Sequence, residues 1–134
     1  MTKRLDENLG SVDYDGLIIS NEPTADVFSV TIRKGAAAET LKRGTVLALS
    51  GGTAGDGKMV ILGTEAAANE TVTANCVLCD DTEIGTGADV TALAYRTGHL
   101  ARNKLIVKTG YTMTANDEEE LRKGGILLSD ALSY

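Results

Sequence analysis

The sequence has no tryptophan, one histidine (His99), one proline (Pro23) and two cysteines among its 134 residues. Phe28, Tyr14, Tyr95, Tyr111 and Tyr134 are its only aromatic residues, so the core has to be built from Val, Ile, Leu and Ala. Two cysteines do not make a disulfide framework. No apolar run approaches the roughly 18 residues of a membrane-spanning helix. Residues 1–7 hold Lys3, Arg4, Asp6 and Glu7 and lack the apolar stretch of a secretory signal. Basic residues are also short: 13 Lys and Arg against 19 Asp and Glu leave a net charge of −6. A phosphate-backbone binder needs a cationic face, so no nucleic acid partner is expected. The expectation is a soluble protein made in a reducing cytoplasm. A chain of 14.0 kDa buries about two-thirds of its unfolded surface, enough for one domain with a thin core.

Few residues could carry chemistry, and each has a plainer reading. Cys76-Val77-Leu78-Cys79 is formally a Cys-x-x-Cys. A redox pair of that kind sits where a strand meets a helix, whereas here a polar turn, Asp80-Asp81, follows. A structural zinc needs four ligands, and His99 is the only other soft donor, so both cysteines are read as buried strand residues. The segment from Gly52 to Lys58 satisfies most of a phosphate-loop pattern. Met59 stands where Ser or Thr would hold magnesium, however, and Val60-Ile61-Leu62 opens no helix. It reads as a hairpin loop. His99, after Arg96-Thr97-Gly98, has no nucleophile or orienting acid placed beside it and reads as a turn histidine. Asp80, Asp81 and Glu83 lack the spaced oxygen ligands of a calcium loop. No catalytic, cofactor or metal site is therefore assigned.

Along the chain, residues 1–24 read as a polar, partly flexible N-terminal arm carrying one apolar patch, Leu17-Ile18-Ile19, before the turn Ser20 to Pro23. That patch suits a docking strand or a place in its own domain. Residues 25–134 read as a single β-rich domain. Strands are expected at 27–32, 45–49, 58–62, 73–79, 90–95 and 105–107 from period-two alternation or short apolar runs. Residues 82–89, with Gly85 and Gly87, are expected to form a loop. One helix is expected after Thr114, an N-cap with Asp117 three residues on. Asp117, Glu118, Glu119 and Glu120 lie at its positive end and Arg122 and Lys123 at its negative end. Glu118 with Arg122 and Glu119 with Lys123 have ion-pair spacing, and Gly124-Gly125 stops the helix. Ile126-Leu127-Leu128 can then return to the sheet. The fold class is mainly β, compact and hairpin-rich, with one short helix near the C-terminus.

The order Gly44-Thr45-Val46-Leu47-Ala48, then Gly57-Lys58, then Cys76-Val77-Leu78-Cys79-Asp80-Asp81, then the run from Val90 to Gly98, resembles that of the lambda-type head decoration proteins of tailed phages. The likeness covers about residues 40–110, with Asn75 standing where a Gly is usual. The resemblance implies a β-clip-like fold and a homotrimer at three-fold sites on the outer face of the capsid. There it would stabilise the expanded shell against DNA pressure. It also implies that an N-terminal arm adds strand contacts to the major capsid protein, which would make Leu17, Ile18 and Ile19 capsid contacts. The implied location is the virion surface, after synthesis in the bacterial cytoplasm. No enzyme activity, cofactor or membrane contact is implied.

Two other functions fit less well. A phage surface or tail module contacting host glycans would ordinarily present aromatic platforms, which this sequence supplies poorly. A trimeric β-fold nucleotide hydrolase would need an Arg-Ser-Gly phosphate grip, echoed only by Arg96-Thr97-Gly98, together with an aspartate-bearing hairpin and magnesium.

Overall fold

A computed structural model describes residues 16–20 and 22–130 of the chain. The strands are β1 (Ile18–Ser20), β2 (Asp26–Ile32), β3 (Glu39–Leu41), β4 (Val46–Gly51), β5 (Met59–Ile61), β6 (Thr71–Leu78), β7 (Thr82–Ile84), β8 (Val90–Ala101) and β9 (Ile126–Ser129). A single 3-10 turn, Arg102–Lys104, follows β8, and one α-helix, α1 (Ala115–Gly124), precedes β9. The described chain is mainly β with one short helix near its C-terminal end, as the alternation and the capping signals predict.

Strand pairing runs β8–β2–β5–β4–β6 and returns from β6 to β8, so five strands close on themselves as a barrel-like sheet. All of these pairings are antiparallel except β2 with β5, which touch in parallel at Ile32 and Met59. The closing strand runs on past the barrel. Residues 90–97 of β8 pair with β2, while residues 98–101 carry antiparallel β1 on one side and parallel β9 on the other. β3 and β7 form a separate two-stranded ribbon.

Two cores explain why β4 reads as an unbroken apolar run. Leu47, Cys76, Leu78, Val30, Ile32, Met59, Ala92 and Ala94 fill one cluster. Val46, Ala48, Ala74, Val77 and Tyr95 point the other way, into a second cluster completed by Leu17, Leu100, Leu121 and Ile126. Successive strand residues face opposite sides, so β4 between two buried layers has to be apolar at every step, whereas β2, with one face to solvent, alternates.

α1 is built as its sequence dictates. Thr114 Oγ1 accepts from the Asp117 amide at 3.1 Å and Asp117 Oδ2 accepts from the Thr114 amide at 3.0 Å, a complete capping box. Gly125 ends the helix with φ at 113°, a left-handed conformation that costs a side chain dearly. The ion pairs fall one residue short of the expected spacing. Arg122 pairs with Glu119 and Lys123 with Glu120, while Glu118 reaches off the helix to Arg102 at 3.0 Å. The Arg102 partnership draws Glu118 away, and its helical neighbours re-pair at three residues.

Several expectations are corrected. Residues 82–84, taken as loop, form β7 against β3. Residues 105–107 form no strand and make only one bridge, Ile106 to Thr45. Arg96-Thr97-Gly98 is no turn. The pairing shifts there, with Asp26 opposite Thr97 and Val27 opposite Tyr95. Arg96 is thus the extra residue of a bulge, and Gly98 at φ 152° lets the strand continue. His99 accordingly sits inside β8 and not in a turn.

Candidate interaction surface

The apolar patch Leu17-Ile18-Ile19 is split by the sheet. The Leu17 side chain is 1% exposed and belongs to the second core, and its carbonyl accepts from the Ala101 amide at 2.7 Å. Ile18 lies opposite Leu100 and packs against that same core. Ile19 faces out at 38% exposure. Of the three candidate contact residues, Ile19 is therefore the most exposed. Within the expected arm, residues 1–15 and Asn21 lie outside the described residues.

β1, the end of β8 and β9 form a three-stranded ribbon beside the barrel. Its outer strands each carry one exposed apolar residue, Ile19 on β1 and Leu127 on β9. His99, on the middle strand, lies opposite Ser20 and Leu127, and its Nε2 is 2.7 Å from Ser129 Oγ. Along β9 runs a groove of about 460 Å³, walled on its far side by Ala115, Glu118 and Arg122 of α1. A second exposed apolar pair, Val27 and Leu93, lies on the outer face of β2 and β8.

The residues that might have carried chemistry are engaged elsewhere. Cys76 is buried in the barrel interior, where the loss of water pushes its thiol up to about 12. Cys79, three residues on, packs with the other core, so the two thiols lie on opposite sides of the sheet. The glycine-rich stretch between β4 and β5 is a loop held by a charged latch. Arg33 donates to both Asp56 oxygens, at 3.0 and 3.1 Å, and to Glu70 at 2.7 Å, while Ser50 Oγ donates to Glu70 at 2.5 Å. The guanidinium hydrogen bonds hold Asp56 down at about 2. Amide and hydroxyl donors from Ala67 and Ser50, with Arg33, do the same for Glu70, also to about 2. Asp56 is thus committed to Arg33, and Lys58 reaches Asp89 at 2.5 Å.

The remaining candidates are tied in the same way. Arg96 pairs with Asp26 at 2.7 Å and lies over the Phe28 ring, and Thr97 donates to the Thr24 carbonyl at 2.7 Å. Asp81 accepts from the Arg43 amide at 2.8 Å. The Tyr95 hydroxyl accepts from Arg43 at 2.6 Å, and Tyr111 donates to Asp117. Sequence reasoning missed the latch because Arg33, Asp56 and Glu70 are far apart in the chain and carry no spacing signal. It missed the ribbon because β8 runs through an apparent turn.

Among the described residues no group of three or more His, Cys, Asp and Glu is placed to hold a metal ion, and no helix is long and apolar enough to cross a membrane. The described residues thus form a small barrel-like β-sheet, with polar side chains tying its loops and a three-stranded ribbon beside it. The model of the family "Bacteriophage lambda head decoration protein D" matches residues 8–127. The chain belongs to that family: it is a structural protein of the phage head, located with the virion capsid. No curated protein matches it.

Proposed function

We propose that the protein binds as a homotrimer at three-fold sites on the outer surface of the head, contacts the major capsid protein, and stabilises the expanded shell against DNA pressure. The observation that carries this reading is the family match, which runs from residue 8 in the arm to residue 127 in β9. In sequence, residues 1–15 directly precede β1, so a polar arm reaching the major capsid protein can add main-chain contacts to it strand to strand. Three arms on one trimer raise the effective concentration of each, so weak single contacts suffice. Synthesis in the host cytoplasm and a reading without enzyme activity, nucleic acid or membrane contact belong to the same proposal.

The contact falls on the residues before Gly16, because Leu17 and Ile18 serve the protein's own core. The boundary between docking arm and β domain accordingly moves from residue 24 to Gly16. The test is a chain lacking residues 1–15, added to undecorated heads and followed by co-sedimentation and electron microscopy. It should fold and assemble as the full chain does and fail to decorate the shell. Decoration at the full chain's level would overturn the docking role of the arm, and decoration away from three-fold positions would overturn the proposed seat.

A further inference from the structure

We infer that copies of this chain join edge to edge through the ribbon beside the barrel, the β1 edge of one copy lying along the β9 edge of the next. This rests on the trimeric reading above and names the surface that makes it.

The last four residues of β8 pair with β1 on one side and β9 on the other, and among the described residues neither outer strand has a second backbone partner. An open edge is a template for another strand. β1 runs antiparallel to β8 and β9 parallel to it, so the two edges run in opposite senses. A neighbour's β1 laid on β9 therefore forms an antiparallel pair, the more stable pattern.

Side chains match as well as backbones. Ile19 is 38% exposed on one edge and Leu127 39% on the other, so a single kind of contact covers an apolar residue from each copy. A groove of about 460 Å³ lies between β9 and α1 along that edge. Within the barrel, each strand has a strand neighbour on both sides along part of its length. The β3–β7 ribbon carries the charged Glu39 and Glu83 on its strands, as protected edges do. Since the β1 and β9 edges are different surfaces, the contact is heterologous, and a heterologous contact repeated by rotation closes into a ring.

The test measures mass by sedimentation equilibrium on the full chain. Ile19→Lys and Leu127→Glu, made singly, each place a charge against an apolar partner and should sediment as single chains with unchanged far-ultraviolet circular dichroism. The double variant sets Lys against Glu at every contact and should regain the assembled mass. In the unmodified protein, amide exchange in Ile18–Ser20 and Ile126–Ser129 should slow on assembly and quicken on dilution. A wild-type trimer whose single variants keep its mass, or whose edge amides exchange alike in both states, overturns this inference and leaves the trimeric reading standing. A wild-type protein that sediments as a single chain at every concentration overturns both.

Discussion

Replacing Leu121 by Ala should strip α1 and β9 from the barrel before the barrel itself fails. α1 spans ten residues, from Ala115 to Gly124, too few to hold in water without tertiary contacts. Its buried residues are Asp117, which serves the cap, and Leu121, which is fully buried among Leu17, Val46, Val77, Tyr95, Leu100 and Ile126. Removing three carbons forfeits roughly 2.4 kcal/mol of transfer free energy at about 0.8 kcal/mol each. The cavity left behind brings the expected loss to about 3–4 kcal/mol, within the known range for buried Leu→Ala changes. For a chain of this size that corresponds to a fall in Tm of roughly 10–15 °C. The assay is urea and thermal unfolding followed by circular dichroism, with Lys123→Ala on the exposed face of the same helix as control. Lys123 pairs with Glu120 at 3.4 Å on the surface, so its loss should change stability by less than about 0.5 kcal/mol. A Leu121→Ala loss below about 1 kcal/mol, or one equal to the control, would refute the assignment of Leu121 as the anchor of the outer layer.

Three further outcomes are expected. Asp56 and Glu70 are both held near 2 when folded, below their unfolded values of about 4. The latch therefore contributes fully above pH 4 or so and is lost as pH falls toward 2; Arg33→Met should flatten the dependence of Tm on pH across that window, and an unchanged slope would dismiss the latch. Gly125→Ala puts a Cβ 2.9 Å from Thr97 Cγ2 at φ 113°, so unfolding should become easier by about 1–3 kcal/mol, checked by chemical denaturation of that variant beside Gly124→Ala, which meets nothing within 4 Å. Cys76, with its thiol raised to about 12 by burial, should resist iodoacetamide at pH 8 until the barrel opens; peptide mapping that finds Cys76 alkylated as fast as Cys79 in the folded protein would contradict the buried placement.

Local signals carried much of the fold. Thr114 and Asp117 announce the start of α1 and Gly125 its end, because capping is settled within a few residues. The Val46 to Leu49 run and the Phe28 to Ile32 alternation each register what lies on both faces of a strand. What stayed hidden depends on residues distant in the chain. β7 is too short and polar to signal a strand and exists because β3 pairs with it. The length of β8 was masked by a bulge at Arg96 and a glycine that ordinarily marks a turn. Of the candidate contacts, the sequence marked Leu17, Ile18 and Ile19 as one patch, but only a sheet decides which alternate members face inward. Leu127, on the opposite edge, read simply as part of a strand returning to the sheet. The Arg33 latch was invisible for the same reason, since its three charges meet only after the barrel has closed.

β8 is at once the seam of the barrel and the spine of the ribbon. A force applied at the ribbon's rim is delivered lengthwise into that seam, where the ladders on its two sides resist in shear and must rupture together. Ribbon and barrel thus share one continuous strand, so neither can shift lengthwise without moving the other.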